Sequence, residues 1–134
     1  MKRVLAVLIM FVVAGCVSKE SLPPQEIVDE IRIEQTYPNT ELLILSSKEK
    51  VEGVISFINT KKNGWSVPWY GAPVGQIYLN LYENEKFVGN FYVGTDFFGR
   101  DYGNFWSQSA SEEEIKKLGM LLGLDLLGHV NATE

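Results

Sequence analysis

Asp96 and Asp101 flank Phe97-Phe98-Gly99-Arg100. Two carboxylates with a guanidinium between them are residue types that a small hydrolase uses as acid and base. Their separation in the fold decides whether they work as a pair. The more ordinary use of Arg100-Asp101 is a loop ion pair or a turn. Nucleophilic chemistry has less to draw on. It needs a Ser, Thr or Cys beside a base, and the chain holds one Cys, Cys16, and one His, His129. His129 falls in residues 128–134, which read as a mobile end, so it is an incidental surface residue. One Cys and one His exclude a Cys/His zinc site within one chain. There is no glycine-rich phosphate loop and no dinucleotide fingerprint; Gly89, Gly94, Gly99 and Gly103 are spaced like strand ends and turns. No cofactor or metal is expected, and a hydrolase using Asp96 and Asp101 is less supported than a non-catalytic protein. The run Glu112 to Glu114 is explained by the positive end of a helix dipole.

Binding chemistry has more to work with. Residues 64–73 carry Trp65, Trp69 and Tyr70, whose broad apolar faces and polar tips suit stacking on sugar rings or anchoring a protein. The competing use is to close the open edge of the core, and Trp65, which follows a helix end, fits that use better than Trp69 and Tyr70. A second set, Tyr78, Asn80 and Tyr82 with Asn90 and Tyr92, falls on one parity of two alternating segments. It forms an outer stripe that at minimum supplies cross-strand pairs. Were loop and stripe contiguous, they would make an aromatic, polar, nearly uncharged patch for a neutral partner, glycan or protein. Phe97, Phe98, Tyr102, Phe105 and Trp106 are expected as core and edge cover.

The chain has 134 residues, 46% hydrophobic and 22% charged, with a net charge of −5. That is the composition of one globular domain. The acidic balance argues against a nucleic-acid partner, which requires basic groups to displace counterions.

The N-terminus is an address. Lys2 and Arg3 precede an apolar run over residues 4–13, with Ala14 and Gly15 before Cys16. A basic start, an apolar centre and small residues are the parts of a secretory signal. The run falls well short of the ~20 residues of a membrane-spanning helix. Val13-Ala14-Gly15-Cys16 resembles the lipobox of bacterial lipoproteins. The resemblance implies diacylation of the Cys16 thiol, cleavage after Gly15 and acylation of the new amine, as in palmitate-bearing envelope proteins. Two or three acyl chains hold firmly, each buried methylene adding ~0.8 kcal/mol. Val17 stands where lipoproteins retained at the inner membrane carry Asp, which favours the outer membrane in a Gram-negative host. The remainder is similar to small uncharacterised bacterial lipoproteins, with no characterised family to supply functional residues.

The organisation expected is a signal peptide over 1–15, a lipidated Cys16 with a flexible tether over 16–26 containing Pro23 and Pro24, one domain over 27–126, and a mobile tail over 127–134. Within the domain, residues 28–35 read as a strand turning through 37–40 into a second at 42–45. Ser46 with Glu49 makes a capping box for a helix whose apolar face is Val51, Val54, Ile55 and Ile58. A hairpin follows, pairing Ile77 with Val93, Tyr78 with Tyr92, Leu79 with Phe91 and Asn80 with Asn90 through an odd loop, Asn84-Glu85-Lys86, and a bulge. Residues 102–107 are a doubtful fifth strand. Ser111 and Glu114 cap a last helix with stripe Ile115, Leu118 and Leu122, ending at Gly123. The fold class is α+β: a small antiparallel sheet of about four to five strands, ordered β-β-α-β-β-(β)-α, with two helices on one face. The function expected is a membrane-anchored binding or structural accessory module for an envelope protein or glycan. The alternatives are a tethered inhibitor or immunity protein against a cell-wall enzyme, and the small hydrolase.

Overall fold

Alternation of buried and open positions builds the sheet. The computed structural model describes residues 19–131 apart from Tyr37, Tyr70, Ala72 and Pro73. The expected signal peptide, Cys16 and Tyr70 therefore lie outside the described residues. The elements are β1 (Glu30–Thr36), β2 (Asn39–Leu45), α1 (Lys48–Thr60), β3 (Ile77–Glu83), β4 (Lys86–Val93), β5 (Phe97–Asp101), β6 (Phe105–Ser109), α2 (Glu112–Leu122) and α3 (Leu126–Asn131). The class is α+β, as expected. The sheet, however, has six antiparallel strands in the order β2-β1-β3-β4-β5-β6, and the described residues form three helices rather than two.

One parity of the strands, Ile31 and Ile33, Ile77, Leu79 and Leu81, Phe91 and Val93, and Phe98, is buried in one core with Val51, Val54, Ile55 and Ile58 of α1 and Ile115, Leu118 and Leu122 of α2. Helices cover that face. The opposite face carries the other parity of each strand.

The hairpin register is the expected one, and a bulge sits in it. The connection differs. Glu83 pairs with Lys86 and Tyr82 with Phe87, so the turn has two residues, and Val88 is the extra residue opposite the Leu81/Tyr82 step. Asn84 and Glu85 both take positive φ, 49° and 66°, as a turn that follows the strand twist requires. The bulge then restores Leu79 to Phe91 on the core side, and Phe87 joins Tyr82 on the open side at a ring distance of 5.8 Å.

The doubtful fifth strand, expected over 102–107, is β6 at Phe105–Ser109, and β5 before it was not expected. Phe97–Asp101 was masked in the sequence by Gly99 and by the turn-like Arg100-Asp101 pair, yet Gly99 is needed inside β5. A Cβ there would lie 1.8 Å from the Tyr92 ring, which crosses the strand at that point. Arg100 and Asp101 face opposite sides of the sheet, so they form neither the expected loop ion pair nor a turn.

Helix ends follow side-chain chemistry. At α2 the capping box is present, Ser111 Oγ accepting from the Glu114 N–H at 3.2 Å, and Gly123 closes the helix in the left-handed region at φ 71°. At α1 the cap is Ser47 with no side-chain bond, so the Ser46–Glu49 box does not form. The tail expected over 127–134 is, in its described part, the end of a short helix. Asp125 Oδ1 accepts from the Gly128 N–H at 3.0 Å and starts α3. Leu126 and Val130, at i and i+4, are fully buried, and His129 Nδ1 lies 3.1 Å from Gln35 Oε1.

The segment expected as a tether over 16–26 contacts the domain in its described part. From Lys19 onward the chain is strapped to the domain. Glu20 and Trp65 exchange both backbone hydrogen bonds, at 2.7 and 3.1 Å, and the Leu22 N–H donates to the Lys62 carbonyl at 2.9 Å. The Gln25 N–H donates to Asn59 Oδ1 at 2.7 Å, and Leu22 and Val28 are buried. Arg100, 6% exposed on the core side, donates from Nη1 to the Pro23 carbonyl at 2.6 Å. Burial holds its pKa below the usual guanidinium value.

Lys61, just past α1, forms an ion pair with Glu114 of the α2 capping box. Hydrogen bonding from Lys61 is the main reason the Glu114 carboxyl is held below its ordinary 4.5. A depressed carboxyl stabilises the fold above the unfolded pKa and loses that contribution as pH falls through the folded one. Urea unfolding followed from pH 7 down through the carboxylate range should show stability dropping in the wild type. Glu114→Gln should be less stable at pH 7 and show a shallower acid limb; parallel acid limbs would contradict this role.

Candidate functional site

The open sheet face is built from cross-strand rows. Glu30 stands opposite Tyr82, Arg32 opposite Asn80, and Glu34 opposite Tyr78. Asn80 continues to Asn90, and Tyr78 to Tyr92 and Gly99. Paired residues of neighbouring strands share a face, so these side chains form one surface. The Arg32 guanidinium lies 4.1 Å from the centre of the Tyr82 ring and donates to Glu30 Oε1 at 2.9 Å. That bond is the chief reason its pKa is raised. Asn80 Nδ2 donates to Glu34 Oε2 at 3.3 Å, and Asn90 Nδ2 to Asp101 Oδ2 at 2.9 Å.

The expected stripe is therefore assembled, but not as a nearly uncharged patch. Insertion of β1 beside β3 adds Glu30, Arg32 and Glu34, and β5 adds Asp101. Their alternation with Ile31 and Ile33 was legible in the sequence; the strand order that brings them next to the tyrosines was not. Tyr78, Asn80 and Tyr82 are half-buried on this face.

Two predicted binding residues are not available to a partner. Trp65 is 0% exposed, edge-on to Phe91 at 6.3 Å, and its indole N–H donates to the Lys61 carbonyl at 2.5 Å. Gly64 at φ 85° turns the chain back after α1, so the ring enters the core and satisfies a carbonyl at the helix end. Tyr92 is 2% exposed although it belongs to the open face. It stacks on Tyr78 at 5.0 Å, meets Phe97 edge-on at 6.4 Å, and rests on the bare backbone of Gly99. It is the floor of the surface. Its hydroxyl is buried without a hydrogen-bond partner, and burial, with the Asp101 charge second, pushes the phenol well above its ordinary value of 10.

Trp69 is 88% exposed. It lies three residues after Ser66, which is bridged to Ser107, so its backbone is within ~10 Å of Ser66 and ~15 Å of β6. The loop meets the stripe at its other end, where Gly75 packs against Tyr92 and Tyr78. Of the expected edge cover, Phe98 is core and Trp106 half-buried, whereas Tyr102 and Phe105 are exposed.

The carboxylates do not form a pair. Asp96 precedes β5 and opens into a polar cleft of about 520 Å³ with Lys19, Ser66, Ser107 and Gln108. Asp101 ends the same strand on the open face, bonded to Asn90. Five residues of extended chain separate them by roughly 16 Å, beyond the ~5–9.5 Å of paired acid/base carboxylates. Among the described residues no group of three or more His, Cys, Asp or Glu could hold a metal ion, and no helix is long and apolar enough to cross a membrane.

A raised phenol is stabilising below its unfolded pKa, and that contribution is lost as pH rises through the folded value. Ultraviolet titration should show one tyrosine ionising only with alkaline unfolding, a step absent from Tyr92→Phe. Gly99→Ala, which places a methyl inside the Tyr92 ring, should lower the unfolding midpoint and release that phenol to titrate normally. A normal titration in the wild type would contradict the buried floor.

No family model matches the chain, and no curated protein or solved structure matches it.

Proposed function

We propose that this chain is a lipid-anchored protein of the bacterial envelope whose domain is a non-catalytic module binding a protein on its open sheet face. The observation that carries the binding half is the composition of that face: Tyr78 and Tyr82 side by side with Arg32, Glu30, Glu34 and Asn80, over a ring floor supplied by Tyr92. Tyrosine and arginine are the residues that concentrate binding energy at protein interfaces. Ionic groups in the row favour a protein over a neutral glycan. The lipobox Val13-Ala14-Gly15-Cys16 supports the anchoring half, with the outer membrane favoured in a Gram-negative host.

One alternative gains support from a specific feature. Glu30, Glu34 and Asp101 outnumber Arg32 on the face, and the whole chain carries −5. An acidic surface steers basic partners, so a tethered inhibitor or immunity protein acting on a basic cell-wall enzyme is the form of partner that fits second best. The hydrolase reading gains nothing from carboxylates at opposite ends of β5.

The test is crosslinking in cells from the full-length protein, with a photoreactive residue at Asn80 on the open face or at Lys117 on α2. A discrete protein adduct is expected from position 80 and not from 117. It should be lost when Arg32→Ala and Tyr82→Ala are combined in a chain that keeps its circular dichroism. Equal adducts from the two positions, or an adduct indifferent to the double substitution, would overturn the assignment of the face.

A further inference from the structure

We infer that the domain lies flush on the membrane in a fixed orientation, β6 edge down and β2 edge up. This rests on the reading of Cys16 as the lipidated residue, and adds to it a contact surface and a direction. The argument is one of chain length. Cys16 and Glu20 are four steps apart, so even fully extended chain places Glu20 within ~14 Å of the acylated residue. Glu20 is not the start of a free tether: it exchanges two backbone hydrogen bonds with Trp65, and Ser66 exchanges two with Ser107 of β6. The anchor is thereby pulled to one edge of the sheet. A headgroup layer is about 5–8 Å deep on each side, which uses up much of the reach and leaves at most ~6–9 Å between Glu20 and the surface, too little for the domain to stand away from it.

The residues on this edge suit lipid headgroups. Lys19 and Lys62 are exposed beside the strap, and Ser66, Ser107, Gln108 and Ser109 give hydroxyls and amides. Trp69, exposed and within ~10 Å of Ser66, is the side chain type that settles at the membrane interface, apolar face toward the acyl region and N–H toward water. Glu20 and Asp96 share the edge, so the acyl anchor, and not charge, holds it down.

The direction follows from register. Ser66, Ser107, Gly99, Tyr92, Tyr78, Glu34 and Glu41 lie in one cross-strand line. At ~4.8 Å per strand, Glu41 stands up to ~29 Å from Ser66 along it, shortened by sheet twist. Strands run parallel to the membrane, and the open face rises from it like a wall. A partner is met from the side, and the acidic β1–β2 end is the part held farthest out.

The test uses the full chain matured in a bacterium, its acylation read by mass spectrometry, and reconstituted into phosphatidylethanolamine/phosphatidylglycerol vesicles containing a headgroup-spin-labelled lipid. With the Cys16 thiol acylated, Lys62→Cys and Glu41→Cys each supply a single reactive thiol for a fluorophore. Quenching at position 62 should exceed that at 41 several-fold. A flexible Gly/Ser insertion between Ser18 and Lys19, before the first paired residue Glu20, should bring position 62 down to the level of 41. Equal quenching on an acylated chain, or a difference that survives the insertion, would overturn the orientation and leave the lipoprotein reading standing. A chain matured without acyl groups on Cys16 would overturn both.

Discussion

Closure of one sheet edge is the constraint on which the rest of the structure depends. A six-stranded antiparallel sheet has two edges, each a row of unpaired N–H and C=O groups. At β6 that row is met by Ser66, and Trp65 next to it pairs with Glu20. The same few residues place the Trp65 ring in the core, where emptying such a site costs about 3–5 kcal/mol. They also fix the start of the N-terminal segment, bring Pro23 over the Arg100 guanidinium and seat Leu22 and Val28. Core, edge and the course of residues 19–25 are thus consequences of one short stretch after α1.

The open face depends on that closure indirectly. With helices confined to one side and the β6 edge met at Ser107, the opposite side is free to carry polar and aromatic groups. Among the described residues, the buried side-chain polar atoms left without a hydrogen bond are the Tyr92 hydroxyl and Gln76 Oε1. Glycine supplies the remaining room. At Gly99 and Gly75 the backbone is bare where the Tyr92 ring must lie, and a ring laid flat on a sheet stiffens the surface above it. The tyrosines, Arg32 and the flanking carboxylates are thereby held by mutual stacking and hydrogen bonds, which lowers the ordering cost of binding.

Much of this was legible in the residues, for identifiable reasons. Strict period-two alternation over residues 77–93 selects one hairpin register, because a slip by one residue would expose Leu79 and Phe91; the register holds although the turn that delivers it has one residue fewer than expected. Ser111 and Glu114 carry their cap in their chemistry. What was not legible depends on distant neighbours. Gly99 looks like a turn until Tyr92 is known to lie on it. Trp65 was open to both uses, with core closure the better fit, and its place is fixed once Lys61 is seen to offer it a carbonyl. Nothing local in Glu30, Arg32 and Glu34 says that β1 inserts beside β3, and so the charge of the candidate site could not be read. The short helix α3 was within reach, since Asp125 is a good cap and Leu126 and Val130 share a face.

The most direct test of the central claim, that residues 19–25 belong to the folded unit, is native-state hydrogen exchange resolved at the amides of Glu20, Leu22 and Gln25. Each donates to an acceptor elsewhere in the domain, Trp65, Lys62 and Asn59 in turn. The account predicts protection at all three approaching that of the central strand β3. Exchange at the rate of a free peptide would make the segment a tether after all, and with it would go the paired strap and the proposed approach to the membrane.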